Sequence, residues 1–204
     1  AFQAGELPHL APFLGPHGWE ERHTPGSFTY AAHTAFFAGF LPTPVAPGPH
    51  ERLFALAFPG SETTGPRTRV LQGPDIVRGF AALGYRTICI GGTGFFNQLT
   101  PLGSELPSRF HEAHWDRSLG VTDPRSTEHQ VALALERRAA CDGPVFLFVN
   151  VSALHQPNAI YADQTVDDLV SHRAALRYVD GALAPLLAAF ADDEILLLSD
   201  HGTC

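Results

Sequence analysis

The carboxyl-terminal end of the chain places an acid and an imidazole side by side, in Ser199-Asp200-His201-Gly202. The apolar run just before them predicts a buried strand from Glu194 to Ser199. The carboxyl ends of strands border the crevice where α/β proteins bind ligands, and carboxylate and imidazole groups are ligands for divalent metals. The pair therefore predicts a metal or catalytic site. The alternative is a polar strand end with a solvated acid and an unrelated histidine.

Thr29 is the second candidate for chemistry. It follows a turn-forming segment at 25–28 and precedes a predicted short helix, Ala31 to Phe37, that ends at Gly39. A hydroxyl at the start of a helix meets free backbone N–H groups and a dipole that favours anions. Such a hydroxyl is well placed to attack a phosphoryl or sulfuryl group. The structural alternative, which the local sequence favours when taken by itself, is that Thr29 or Ser27 is only an N-cap.

Two histidines could complete such a site. His155 follows the predicted strand Val145 to Val151, and would share a sheet edge with Asp200 if both strands run parallel. There it would contact the transferring group or the leaving group; the alternative is a loop histidine. His33 lies one helical turn after Thr29, on the same helix face, and could touch the substrate. With 11 histidines in the chain, a bystander role for His33 is the alternative.

Two other clusters are interpreted as structural. His111, His114 and Trp115 lie in a predicted polar loop. The segment 91–94 is rich in glycine but lacks the GxGxxG spacing and any lysine, so it is not interpreted as a nucleotide loop.

The elements that must position these residues alternate between strand and helix, which predicts an α/β layered sheet. Continuous apolar runs indicate strands covered on both faces. The predicted strands are 86–90, 145–151 and 194–199, with 53–58 as a weaker fourth. The predicted helices are 74–84, 128–140 and 168–190, the last kinked or split by Pro185. The stretches 41–50, 59–66 and 94–107, rich in proline and glycine, are predicted surface loops.

Composition limits the kind of protein and its partners. A length of 204 residues predicts a single domain over 1–204. The net charge of −8 and the absence of lysine argue against a nucleic-acid partner or an anionic membrane surface. Any anion clamp must then use arginine, histidine, backbone N–H groups or a metal. No apolar stretch is long enough to predict a transmembrane segment.

The cysteines predict a reduced, cytoplasmic setting. Cys89, Cys141 and Cys204 are odd in number and irregular in spacing, so they do not form a disulfide framework. Cys89 lies inside an apolar run and is predicted to belong to the core.

Six short segments, in this order along the chain, resemble motifs of the alkaline phosphatase/sulfatase superfamily. The segments are 7–14 (similar to TPNLDRL), 29–42 (the nucleophile segment ending in TGLYP), 84–91 (GYxTxxxGK), 154–157 (PHxP), 178–180 (YvD) and 199–202 (SD(N/H)G). Each motif is short, and the weight of the resemblance lies in the shared order. It implies a three-layer α/β/α sandwich with a mostly parallel central sheet.

The resemblance also implies roles for individual residues. Thr29 falls on the nucleophile position, of the threonine type, and would also contact the metal. Asp200 and His201 fall on divalent metal ligands, His155 on the histidine that faces the ester, and His33 on a substrate-binding position. Zn²⁺ or Mn²⁺ is the expected cofactor, with Mg²⁺ or Ca²⁺ as alternatives.

Departures from the family pattern narrow the activity. His33 replaces the arginine that supports formylglycine in sulfatases, and Gly92 and Gly94 replace the lysine and histidine that hold sulfate. Val151 stands where two-zinc phosphodiesterases have an aspartate. The expected activity is therefore a metal-dependent hydrolase or transferase acting on phosphate esters and diesters. A sulfate-ester hydrolase and a non-catalytic binding module on the same fold are the alternatives.

The substrate class and the extent of the chain complete these expectations. The resemblance implies a small-molecule, lipid or glycan ester as the substrate. The family's first strand, with its acidic metal ligand, and a later histidine-bearing segment have no counterpart here. The chain is therefore expected to be the middle part of a longer enzyme, and its activity when isolated is left open. All of these assignments require the Thr29 hydroxyl to lie within a few ångströms of Asp200 and His201.

Overall fold

The computed structural model describes residues 1–39, 54–56, 69–71 and 75–202. Its helices are α1 (Thr29–Ala38), α2 (Ile76–Ala82), α3 (Pro101–Glu105), α4 (Ser126–Ala139) and α5 (Leu169–Ala189). Its strands are β1 (Phe54–Leu56), β2 (Arg69–Leu71), β3 (Arg86–Ile90), β4 (Glu112–His114) and β5 (Val145–Val149). Short 3-10 helices include Gly94–Phe96, Pro107–Arg109 and Ala159–Tyr161. The predicted loops 41–50 and 59–66 lie outside the described residues.

The strands form two parallel sheets. The larger has the order β4-β3-β5, with Ile90 opposite both His114 and Val149. β1 and β2 form a separate parallel pair. Parallel strands alternating with helices confirm the predicted α/β class.

Alternate residues of β3 face opposite sides of the larger sheet, and each side has its own apolar cluster. Cys89 packs with Tyr30 and Phe37 of α1. Ile88 and Ile90 pack with Ala134 of α4 on the other side. The alternation follows from the two-residue period of a strand, and it places α1 and α4 on opposite faces.

Cys89 is a buried thiol within β3, as its apolar surroundings predicted. Burial raises its pKa above the usual range because the thiolate is poorly solvated there. Cys89 and Cys141 are both free cysteines. In the described part of the chain, none of the helices combines the length and the apolar character needed to cross a membrane.

The segment 194–199 differs most from the sequence prediction, because it is not a strand. Ile195 and Leu197 pack against an apolar cluster that includes Leu183 and Leu187 of α5. Leu196 and Leu198 are 78% and 57% exposed. This segment therefore partly buries alternate side chains, on one face only. The continuous apolar run could not show that alternation, because every position is apolar, and the prediction of a fully buried strand is wrong.

Three further predictions are corrected. The predicted split at Pro185 is wrong, because helix α5 continues through the proline as one element, with Leu183 and Leu187 packed on either side of it. The kink, which is the other predicted outcome, stays a prediction. The predicted loop 94–107 contains α3, whose N-cap Thr100 accepts a hydrogen bond from Gly103 N. Part of the predicted loop around His114 is strand β4, which pairs with β3.

Asp180 fastens the N-terminal segment to α5. Its buried carboxylate accepts hydrogen bonds from the backbone N–H groups of Leu10, at 2.8 Å, and His9, at 3.2 Å. Leu7 and Leu10 are buried beside Val179 in the same cluster. The carboxylate therefore satisfies loop N–H groups that packing removes from water.

Replacing Asp180 with alanine should lower the free energy of unfolding by about 2 kcal/mol, because buried N–H groups lose their acceptor. Urea denaturation measures this change. Asp192→Ala is the matched control, because Asp192 is exposed. Equal stability of the two variants would contradict the assigned role of Asp180.

Candidate functional site

Helix α1 lies over the carboxyl ends of β3 and β5. The ring of His33 has its centroid 5.1 Å from that of Phe96, just after β3, and 5.5 Å from that of Phe148 in β5. Both contacts are edge-to-face, the geometry that aromatic rings prefer. This packing fixes the helix that carries Thr29 at the sheet edge where ligands bind in α/β proteins.

The structure brings Thr29 and His201 together. Thr29 Oγ1 lies 3.3 Å from His201 Nε2. His201 Nδ1 lies 2.7 Å from the carbonyl oxygen of Gly202, which can only accept, so we assign the ring proton to Nδ1. The Nε2 atom then carries a lone pair, and the Thr29 hydroxyl donates to it.

The Asp200 carboxylate lies beside the same pair of atoms. Its Oδ2 is 3.6 Å from His201 Nε2 and 3.7 Å from His33 Nδ1. Its Oδ1 accepts from the backbone N–H of His201 at 3.1 Å. Oδ1 is thus engaged by the backbone, whereas Oδ2 faces the two imidazoles.

His33 is buried, and its hydrogen bond is to the backbone of α1. Its Nδ1 donates to the Thr29 carbonyl oxygen at 2.8 Å. Desolvation by the surrounding phenylalanines lowers the pKa of His33, with opposing contributions from the Thr29 hydrogen bond and the Asp200 carboxylate. The predicted contact of His33 with a substrate stays a prediction, whereas its support of Thr29 is observed.

His155 stands apart from these groups. It is exposed after the end of β5, and its Nδ1 donates to Gln156 O at 2.6 Å. Within the described residues, no hydrogen bond or ion pair joins His155 to Thr29, Asp200 or His201. Its predicted role toward a leaving group stays a prediction.

The donor atoms fit a divalent cation in kind. Asp200 Oδ2 and Thr29 Oγ1 lie 3.6 Å and 3.3 Å from His201 Nε2, so a carboxylate, an imidazole lone pair and a hydroxyl meet around that nitrogen. Over residues 1–39 and 75–202 no cluster of three or more histidine, cysteine, aspartate or glutamate side chains suited to a metal is found. These residues therefore provide two strong ligands and a weaker third.

Thr24 and Gly26, which the sequence did not indicate as site residues, hold the loop before α1 close to Asp200 and to α1. The Thr24 hydroxyl donates to the Asp200 carbonyl oxygen and lies 2.7 Å from Gly26 O. A Cβ atom on Gly26 would lie 2.7 Å from Ala31 Cβ and 2.8 Å from the Ala32 backbone nitrogen. The small residues at 26, 31 and 32 were the available signal, because together they permit close approach of the loop to α1.

Gly26→Ala should destabilise the protein by about 1–3 kcal/mol and displace the loop that carries Thr24, because the added methyl overlaps α1. Thermal unfolding and metal affinity are the measurements. Gly143→Ala is the matched control, since a Cβ atom there meets no described heavy atom within 4 Å. A Gly26→Ala variant as stable as Gly143→Ala would contradict the close approach.

Comparisons of the chain with protein-family models, with curated proteins and with solved structures each found no match. The resemblance to the alkaline phosphatase/sulfatase superfamily therefore stays a prediction.

Proposed function

We propose that this chain carries the active site of a metal-dependent hydrolase or transferase that acts on phosphate esters and diesters. Thr29 is the nucleophile. The single observation behind the proposal is the 3.3 Å approach of Thr29 Oγ1 to His201 Nε2, with the Asp200 carboxylate beside them. Thr29 and His201 lie 172 positions apart in sequence. They are also the residues that the order of the motifs predicts for the site.

The start of α1 suits a phosphoryl group. Among the described residues, no side chain caps its first turn, and that turn holds no acid. N–H groups at the beginning of a helix and the helix dipole both favour anionic oxygens. A phosphoryl group next to Thr29 would meet these donors as charge builds up on its oxygens.

Asp200, His201 and Thr29 are the residues that would hold the metal, with Zn²⁺ or Mn²⁺ preferred and Mg²⁺ or Ca²⁺ as alternatives. A bound divalent cation supplies a lowered hydroxyl pKa and neutralises charge on the ester oxygen. The chain itself holds the His201 Nδ1–H on Gly202 O, which directs the Nε2 atom of the ring toward Thr29 Oγ1. His33 fixes the Thr29 carbonyl, and so the direction of the first turn of α1.

The reaction is a displacement at phosphorus. The Thr29 Oγ1–phosphorus bond forms, the bond from phosphorus to the ester oxygen breaks, and the hydroxyl proton passes to solvent. His155, exposed at the same sheet edge, protonates the departing oxygen. Water, or an acceptor alcohol in a transferase, then attacks phosphorus and gives its proton to the His155 ring. The bond from phosphorus to Thr29 Oγ1 breaks, and that oxygen takes up a proton from solvent.

The fold is consistent with the family implied by the motifs. Apolar clusters on both faces of the larger sheet, one with α1 and one with α4, support a three-layer α/β/α sandwich. Free Cys89 and Cys141 support a reduced, cytoplasmic setting. We further propose that residues 1–204 form part of a single catalytic domain, and that the substrate is a small-molecule, lipid or glycan ester.

Thr29→Ala should reduce turnover of an aryl phosphate diester by at least about 10³-fold, because no oxygen remains to attack phosphorus. Thr29→Ser should retain measurable turnover. Thr34→Val is the matched control, since Thr34 lies buried on the same helix and its hydroxyl only donates to Tyr30 O. Initial rates and mass-spectrometric detection of phosphorylated Thr29 are the measurements.

Unchanged turnover in Thr29→Ala would exclude Thr29 as the nucleophile. Preference for an aryl sulfate over the diester would favour a sulfate-ester hydrolase. Absence of turnover with both esters, together with no trapped phosphorylated Thr29, would favour a binding module.

Asp200→Asn should weaken Zn²⁺ or Mn²⁺ binding at least about tenfold, because a carboxylate ligand becomes a neutral amide. The unaltered chain should bind with a dissociation constant above about 1 μM, because a complete zinc site uses four ligands. Calorimetry measures both values, with Asp193→Asn, an exposed acid, as control. Equal affinities in the two variants, or a dissociation constant below about 1 μM for the unaltered chain, would contradict the proposed ligand set.

A further inference from the structure

Two phenylalanine rings form a partly exposed aromatic surface next to the proposed nucleophile. Phe28 directly precedes Thr29 and is 48% exposed. Its ring centroid lies 6.1 Å from that of Phe95, with the planes at 46°. Phe95 is itself only partly buried. We name this pair, Phe28 and Phe95, the aromatic shelf.

The aromatic shelf is anchored to the core. Phe95 lies in the 3-10 helix Gly94–Phe96, which follows the carboxyl end of β3. Its ring centroid is 5.7 Å from that of Tyr30, and both Tyr30 and Phe96 are buried. The Phe95 ring is therefore held by the core before any ligand arrives, which lowers the entropy lost when a ligand packs on the shelf.

Folding by itself does not account for Phe28 at this position. Phe28 is the N-cap residue of α1, a position where serine, threonine, aspartate or asparagine is preferred, and it makes no side-chain cap hydrogen bond. Leaving half of a phenylalanine exposed also forgoes apolar burial. A ring that neither caps the helix nor enters the core is available to a ligand bound at Thr29.

The charges around the site indicate what that ligand carries. The described hydrogen bonds and ion pairs of Thr29, His33, Asp200 and His201 involve no arginine, and the chain has no lysine. A second anionic group on the substrate would find no fixed cation among these contacts. The shelf therefore suits an uncharged aromatic group.

We infer that the aromatic shelf binds an aryl or heteroaryl group of the ester while its phosphoryl group lies at Thr29. This inference rests on the proposed function and names its substrate class. The group stacks on the exposed part of Phe28, and Phe95 supports that ring from behind. Stacking of a planar group on an aromatic side chain is worth enough to decide between aryl and alkyl esters.

Binding of two non-hydrolysable ligands tests the aromatic shelf without requiring turnover. Phenylphosphonate and methylphosphonate share the phosphonate group and differ only in the ring. Calorimetry with Zn²⁺ present should show phenylphosphonate binding more tightly than methylphosphonate. Phe28→Ala should weaken phenylphosphonate about tenfold, leave methylphosphonate within about twofold, and Phe28→Tyr should restore the preference.

Leu83→Ala is the matched control, because Leu83 is an exposed apolar residue that lies before β3, at the opposite edge of the sheet. It should change neither affinity. Thermal unfolding of each variant confirms that the fold is retained.

Two results would overturn the aromatic shelf. One is that the unaltered chain binds phenylphosphonate no better than methylphosphonate, including no binding of either. The other is that Phe28→Ala weakens both ligands equally. If the ring preference depends on Phe28 but Thr29→Ala keeps full turnover, the shelf stands and the nucleophile assignment fails. If Thr29→Ala abolishes turnover without any ring preference, the proposed function stands and the shelf fails.

Discussion

The contact between the loop before α1 and the segment at 200–201 is the interaction on which the site depends. The Thr24 hydroxyl donates a hydrogen bond to the Asp200 carbonyl oxygen, and Thr29 Oγ1 lies 3.3 Å from His201 Nε2. These contacts join parts of the chain more than 170 residues apart. Without them, neither the carboxylate nor the imidazole would face the hydroxyl, and each group would be an ordinary polar side chain.

Two features of the core keep that contact in place. Edge-to-face packing of the His33 ring on Phe96 and Phe148 fixes α1 against the carboxyl ends of the strands. The same imidazole donates a hydrogen bond to the Thr29 carbonyl oxygen. One buried side chain therefore connects the core to the first turn of the helix. In the same way, Asp180 holds the N-terminal segment by accepting a hydrogen bond from the backbone N–H of Leu10. Buried polar groups thus position the loops, while apolar contacts position the helices.

Elements with a clear local signal were predictable from the sequence. The run Arg86–Ile90 forms a strand at the expected bounds, and Gly39 ends α1 in a left-handed conformation. The proximity of Thr29 to His201 followed from motif order, a signal that spans the chain. Their chemical roles stay predictions, as does the family.

Features that depend on distant neighbours could not be predicted. The one-sided burial of Ile195 and Leu197 is invisible in an unbroken apolar run. Continuity of α5 through Pro185 depends on packing that flanks the proline. The close approach at Gly26 and the exposure of Phe28 arise only when the loop meets α1.

The central claim is that Thr29, Asp200 and His201 share one cation, and nitrogen NMR of the His201 ring tests it most directly. We predict that the His201 Nε2 resonance shifts on Zn²⁺ addition together with that of the Thr29 methyl group, while Nδ1 keeps its hydrogen bond to Gly202 O. An Nε2 resonance that stays unchanged while Zn²⁺ binds elsewhere on the chain would contradict the shared cation.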